Sequence, residues 1–324
     1  MKYLRKLITL LRLLGRFDGR TIRLRFNHYI GQWRIKRHRN QAFIYHDLGF
    51  PFVCHPDWPD SVEHFCTERN RVSSDTWELA LISDWLQSGD TVFDAGANLG
   101  FYTFRAAPMV GVSGRIIAID ASPFIADKLA INARLLDLPQ VVPLQRALTR
   151  GSGTVTFYVR PDRLITTNQS LAPTEDERRL SMPVEVSACS LDELDGNLSI
   201  GSSLSLVKID IEGAEGPALE SVPPAWLGPD GPLWLVEINP GALARFGSSP
   251  EQILAHFHSN NFQCWLLTKS PLRPLTRPAL CAITPGTNPD FSDSIYYNLI
   301  AIPKGDRWRD RRSRIMRHFP SPLS

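Results

Sequence analysis

The sequence predicts an α/β fold: a doubly wound, mainly parallel seven-stranded sheet with its last strand antiparallel, preceded by an N-terminal extension. Three observations predict it. Short apolar runs alternate with helical patterns from residue 75 onward, an order that places parallel strands in one layer and helices on both faces. Several of these runs end in carboxylates, at Asp94, Asp120, Asp210 and Glu237. A glycine-bearing turn, Gly96 to Gly100, joins the first run to the helix behind it. With 324 residues, 43% of them hydrophobic, the chain can bury one large core, and disorder throughout is excluded.

Residues 40–70 hold aromatics, His and Pro without a sustained period, and read as irregular structure with short strands. Asp75 then offers an N-cap with Glu78 three residues on, a capping box. Trp77, Ala80, Leu81 and Trp85 line one face of the helix that follows, and Gly89 ends it. Strand 91–94, a helix from 102, strand 115–120, helix 123–136 and strand 141–144 form successive strand-helix-strand units. Ser122 before Pro123 reads as an N-cap followed by proline at the first helical position. Runs 154–159 and 184–188 are a further pair of strands around a polar loop. Runs 204–210 and 233–238 read as buried strands with a short helix near 216–221 between them. Helix 249–259 leads to strands 262–267 and 295–302, which lack an intervening helix and should pair antiparallel.

Charge is concentrated at the ends. Residues 1–39 contain twelve Lys or Arg and one acid, Asp18, while Arg307 to Arg317 holds six Arg against Asp310. On a helical wheel Leu4, Leu7, Ile8, Leu11 and Leu14 oppose Lys2, Arg5, Lys6, Arg12 and Arg16, the pattern of an interfacial basic helix. Such a helix docks on an anionic membrane surface or an acidic partner, or packs its leucines on its own domain. No run approaches the ~20 mostly apolar residues needed to cross a bilayer. Arg12 and Arg16 interrupt what would be the apolar core of a signal peptide. Cys54, Cys66, Cys189, Cys264 and Cys281 are scattered without zinc-site or disulfide-framework spacing. These features suggest a cytoplasmic protein with peripheral membrane contact through residues 1–25.

The turn carries the first chemical signal. A strand, turn and helix present unpaired N–H groups and the positive end of a helix dipole to a polar ligand. A dinucleotide fingerprint would read G-x-G-x-x-G. Here Asn98 stands where its second glycine would fall, and no third glycine follows Gly100 at the required distance. Asp94 is placed to meet the ammonium of an amino-acid-like ligand, and the stretch resembles the first motif of S-adenosylmethionine-dependent methyltransferases. Asp120, twenty residues past Gly100, has the spacing of an acid that accepts from ribose hydroxyls.

The second signal is the run 206–215. Lys208 inside an apolar strand requires a carboxylate or the open sheet end nearby. Asp210 and Glu212 sit at alternate positions and share a face if the extended conformation persists. Two carboxylates beside a ligand pocket suit proton abstraction or divalent-metal binding, and the residues leave both open. His256 and His258, two apart on a helix, do not form a metal pair.

These two motifs together resemble the FkbM family of methyltransferases, whose pattern is D-x-G-A-N-x-G, an acid after the second strand, an Asn in the next helix and K-x-D-x-E-G-x-E. The matching residues are Asp94, Gly96, Ala97, Asn98 and Gly100; Asp120; Asn132; and Lys208, Asp210, Glu212, Gly213 and Glu215. Asp120-Ala121 departs from the family's common Glu-Pro. The resemblance covers about residues 77–267, so the ends carry no inherited assignment. It divides the chain into a basic amphipathic segment over 1–40, an irregular extension or cap over 41–74, an FkbM-like domain over 75–304 and a basic tail over 305–324.

What the resemblance implies is a Rossmann-like methyltransferase fold, S-adenosylmethionine as cofactor, and methyl transfer to a hydroxyl on a sugar, glycolipid or polyketide-like acceptor. Glu78, Asp94, Gly96, Asn98, Gly100 and Asp120 are then the cofactor-binding residues. Asp210 is the expected base or metal ligand, with Glu212 and Glu237 as alternatives. The competing functions are a nicotinamide-dependent oxidoreductase, disfavoured by the missing glycines, and a catalytically silent membrane-associated protein that keeps the fold. Specific nucleic-acid binding is not expected, and the oligomeric state is left open.

Overall fold

The computed structural model describes residues 43–45, 51–54, 74–160, 169–269, 280–283 and 296–319. Two compact units divide the chain, Met1–Val72 and Ser73–Ser324. In the first, β1 (Phe43–Tyr45) pairs antiparallel with β2 (Phe52–Cys54). The basic amphipathic segment expected at the N-terminus lies outside the described residues.

The second unit begins with helix α1 (Ser74–Trp85), which buries Leu81, Ile82 and Trp85. Asp75 falls inside this helix rather than before it, and the Glu78 carboxylate accepts from Tyr102 and Asn298. The chain then alternates through β3 (Thr91–Ala95), α2 (Phe101–Val110), β4 (Arg115–Asp120), α3 (Pro123–Leu135) and β5 (Val141–Gln145). Ser122 precedes α3 with Pro123 at its start, as expected. Its hydroxyl makes no cap bond, and its backbone N–H donates to Asp120 instead.

A smaller sheet follows, of β6 (Ala147–Leu148), β7 (Gly153–Val159) and, after α4 (Glu175–Arg179), β8 (Met182–Cys189). Its long strands alternate buried with exposed positions, as a one-sided antiparallel pair does. The main sheet resumes after α5 (Leu191–Leu198) with β9 (Leu204–Ile209), α6 (Glu215–Leu219) and β10 (Leu233–Ile238). Helices α7 (Pro240–Arg245) and α8 (Pro250–Ser259) lead to β11 (Gln263–Lys269), β12 (Leu280–Ile283) and β13 (Tyr296–Ile302). A last helix, α9 (Arg309–Met316), follows.

The strand order is β12-β11-β13-β10-β9-β3-β4-β5. Strands β10, β9, β3, β4 and β5 are mutually parallel, while β13 runs antiparallel to both β10 and β11. These seven strands form the expected sheet, and β12 adds an antiparallel eighth at its edge. Strands β3 and β9 are buried throughout, which is why they read as continuous apolar runs. On one face Phe93, Ile117, Val207 and Val236 pack with Leu194, Leu219 and Phe257 from the helices. Alternation sends Asp94 and Lys208 to the opposite face, where α1 and α2 lie.

The basic C-terminal stretch is part of this architecture. Arg311 grips the buried Asp90 carboxylate through both guanidinium ends, at 2.5 and 2.9 Å. Arg317 and His318 converge on Asp84 of α1, each at 2.5 Å. Trp308 packs on Trp85, with ring centroids 5.2 Å apart. A cleft of about 390 Å³ lies here, lined by Gln87, Asp90, Ser203, Trp308 and Arg311, at the amino ends of β3 and β9. The carboxylates expected to do chemistry lie at the other end of the sheet.

Candidate active site

The switch in strand order falls between β3 and β9, and ligands of doubly wound sheets bind beyond the carboxyl ends of the strands at that switch. There the chain leaves β3 through Gly96 (φ 69), Asn98 (φ 49) and Gly100 (φ 89), all left-handed. A Cβ on Gly96 would lie 1.7 Å from the Asp210 carbonyl oxygen, and one on Gly100 would lie 2.4 Å from the Phe104 ring. Glycine at both positions is therefore a packing requirement as well as a conformational one. Asn98 tolerates its left-handed backbone by accepting from the Leu99 N–H through its own side chain at 2.7 Å.

Asp94 is buried at the end of β3. Its Oδ2 accepts from Thr103 Oγ1 at 2.6 Å, and its Oδ1 stands 3.6 Å from Lys208 Nζ with no hydrogen-bond donor among the described residues. Asp120, at the end of β4, accepts from the Asn98 N–H at 3.0 Å and the Ser122 N–H at 2.9 Å. Desolvation outweighs these donors and pushes its carboxyl up to about 6. The two acids therefore flank the glycine turn, Asp94 from its own strand and Asp120 from the next.

Glu78 reaches the same region from α1. Tyr102 Oη donates to its Oε2 and Asn298 Nδ2 to its Oε1, which ties α1, α2 and β13 together at one buried carboxylate. Lys208 finds the partners its buried position demands. Its Nζ donates to the Gly96 carbonyl at 3.0 Å, lies 3.4 Å from Asp210 Oδ2 and stands 5.2 Å from the Tyr102 ring centroid.

Beyond β9 the extended conformation does not persist, contrary to the alternation read from sequence. The strand ends at Ile209, and the Asp210 N–H donates to the Ala95 carbonyl at 3.1 Å. Glu212 takes a left-handed φ of 58, an unfavourable state for a non-glycine residue. Gly213 (φ 105) follows with no room for a side chain, since a Cβ would come within 2.5 Å of the Ala242 carbonyl. Burial holds the Glu212 carboxyl well above its usual range, and the nearby Glu237, Asp210 and Glu215 raise it further while Arg245 opposes them. Glu215 accepts from the Ile211 N–H at 2.8 Å, and burial pushes it up to about 7. Glu237 is half-buried at the end of β10, opposite Asn298 in the antiparallel register.

The expected residues thus form two neighbouring groups: Glu78, Asp94, Gly96, Asn98, Gly100 and Asp120 around the turn, and Asp210, Glu212 and Glu237 beyond β9 and β10. Gly96 against Asp210, and Lys208 between Asp94 and Asp210, join them. Sequence reading passed over Tyr102, Thr103 and Asn298. Tyr102 and Thr103 directly follow the turn, and Asn298 is a polar residue inside an apolar strand, which is the signal that would have found it. Asn132 is buried in α3. Cys189 is buried in the core and its thiol is pushed up to about 11 by desolvation, which makes it inert. Among the described residues no group of three or more His, Cys, Asp or Glu is arranged to hold a metal ion.

A strand order with a reversed seventh strand, and carboxylates gathered at the carboxyl ends beside a glycine turn, define a Rossmann-like fold of the methyltransferase type. The chain belongs to the FkbM family: the model of the methyltransferase FkbM domain matches residues 94–264. Solved structures with a similar fold include a SAM-dependent methyltransferase from Aquifex aeolicus, 11% identical, covering 69% of this chain and 88% of that one with a TM-score of 0.35. A SAM-dependent O-methyltransferase from Thermotoga maritima is 11% identical, with 75% and 70% covered and a TM-score of 0.37. M. jannaschii TYW2 in complex with AdoMet is 9% identical, with 80% and 84% covered and a TM-score of 0.39. No curated protein matches the chain.

Proposed function

We propose that the protein transfers the methyl group of S-adenosylmethionine to a hydroxyl on a sugar, glycolipid or polyketide-like acceptor. The observation that carries this reading is the direct contact between the two groups of residues. Gly96 of the turn seats against the backbone of Asp210, so a donor held by the turn and an acceptor at Asp210 meet at the same strand ends. The residues fit the cofactor. Asp94 Oδ1 is a buried carboxylate oxygen without a hydrogen-bond donor among the described residues, suited to the ammonium of a methionine moiety. Asp120 accepts from ribose hydroxyls in this reading, beside the left-handed turn through Gly96, Asn98 and Gly100.

S-Adenosylmethionine supplies a methyl group on a positively charged sulfur, and its transfer to a hydroxyl releases a proton. Asp210, 30% exposed at its side chain and paired with Lys208, takes up that proton from the acceptor in this reading. Glu212, held well above the ordinary carboxylate range by burial and by Glu237, Asp210 and Glu215, favours its protonated form, in which it can donate a hydrogen bond to a second acceptor oxygen. Glu237 completes the polar wall. This reading takes Asp210 as the carboxylate base, with the Lys208 ammonium as its neighbour.

Calorimetric titration with S-adenosylhomocysteine tests the cofactor, and no heat with the wild-type protein argues against the reading. Asp94→Ala and Asp120→Ala should each weaken binding at least about tenfold, the equivalent of ~1.4 kcal/mol. Asp210→Asn should bind the ligand and lose turnover. Methyl label appearing in a glycan or glycolipid of a cell extract supports the acceptor class, whereas label in protein or RNA overturns it.

A further inference from the structure

Lys208 enters the chemistry just proposed only as the neighbour of Asp210, yet it touches both sides of the site. It lies on β9 in register with Asp94 on β3 and is only 7% exposed at its side chain. One ammonium stands 3.6 Å from Asp94, which faces the turn, and 3.4 Å from Asp210, which begins the loop beyond β9. It also donates to the Gly96 carbonyl, at the point where the turn leaves the strand. The Tyr102 ring lies beside it, anchored by its hydroxyl to Glu78.

A buried lysine costs desolvation, and an apolar side chain of similar length would pack in a strand interior without that penalty. We infer that Lys208 is a positioning residue that couples the two halves of the site, aiming Asp94 and the Gly96 carbonyl at the donor and Asp210 at the acceptor. The inference rests on the methyl-donor reading above. Asp94, Asp210 and Lys208 together carry one net negative charge, which the ammonium of an incoming methionine moiety neutralises. Without Lys208 the two carboxylates that stood 3.6 and 3.4 Å from its ammonium are left with no compensating charge, and like charges favour uptake of a proton by the pair. That proton has to leave before Asp94 can receive a ligand ammonium. The other acids around this centre are Glu78 from α1, Asp120 from β4, Glu212 and Glu215 beyond β9 and Glu237 from β10. None of them replaces the ammonium.

The test is the affinity for S-adenosylhomocysteine at pH 6.5 and pH 8.5, read by calorimetry. In the wild type the two affinities agree within about twofold, the small fall at pH 6.5 coming from Asp120. In Lys208→Met the affinity at pH 6.5 is at least about fivefold weaker than at pH 8.5, and protons are released on binding. Lys208→Arg restores the flat profile. A purely structural lysine predicts instead that Lys208→Met weakens binding equally at both pH values, and that result overturns the inference. The charge-balanced variant Lys208→Met/Asp210→Asn covers the case in which Lys208→Met does not fold. Recovery of folding with a flat profile supports the shared ammonium, and failure to recover overturns it. Absence of binding by the wild type overturns the donor reading and this inference together, whereas normal binding with an unchanged profile in Lys208→Met overturns this inference alone.

Discussion

Gly96 and Asp210 meet backbone to backbone across the gap between β3 and β9. A single added carbon on Gly96 would stand 1.7 Å from the Asp210 carbonyl oxygen. This contact brings the glycine turn after β3 and the loop after β9 to one place, and it leaves no room for adjustment by a side chain, because the clash is with main chain.

Gly96→Ala should therefore destabilise the protein by about 2–4 kcal/mol, from the left-handed backbone and the overlap together. Gly151→Ala, at a glycine with nothing within 4 Å, should stay within ~0.5 kcal/mol of wild type. Urea denaturation of the two variants makes the comparison. Equal stabilities would show that the turn yields.

The pH dependence follows from Asp120 and Glu215, raised to about 6 and about 7 in the folded chain. Unfolded carboxylates titrate near ~4, so through these groups the folded chain holds more protons between that value and pH 7. The ligand-free protein then gains stability from them as pH falls from 8 to 5. Glu215→Gln removes one contribution, so wild type should gain on this variant in melting temperature as pH falls across that range. Ligand binding runs the other way. A protonated Asp120 keeps only part of its capacity to accept from ribose hydroxyls, so S-adenosylhomocysteine affinity should drop below about pH 6.

Tyr102→Phe removes one donor to the buried Glu78 carboxylate and should cost about 1.5–3 kcal/mol, the usual range for a hydrogen bond to a charged group. Asn298→Ala removes another. Because both act on the same carboxylate, their effects should be non-additive by ~0.5–3 kcal/mol in a double-mutant cycle. Additive losses would mean that the three residues do not form one unit.

Arg311→Ala leaves the Asp90 carboxylate buried without its guanidinium, where the pair's side chains are 15% and 8% exposed. A loss of about 3–5 kcal/mol is expected. Since Asp90 lies at the amino end of β3, affinity for S-adenosylhomocysteine should change by less than about twofold once the variant is folded. A large loss of affinity would connect the two ends of the sheet.

Much of this architecture is legible in the sequence because it rests on local rules. The alternation of apolar runs and helical patterns located the strands, and missing helix pattern between the last two long strands foretold their antiparallel pairing. The turn through Gly96, Asn98 and Gly100 was readable because glycine and asparagine are the residues that accept left-handed backbone. The charge of Arg311, Arg317 and His318 was also plain. That these groups clamp α9 to Asp84 and Asp90 was not, since the partners lie more than two hundred residues away.

The sequence by itself determined the fold class and the family and pointed to the acids gathered at the strand ends, because strand period, turn conformation and motif spacing are properties of neighbouring residues. Only the tertiary structure decided how those acids divide. Asp210 stands beside Lys208, whereas Glu212, turned by its left-handed backbone, lies among Glu237, Asp210 and Glu215 with its carboxyl raised. Their ionisation depends on burial and on charges brought from other strands, and chain spacing does not encode those distances.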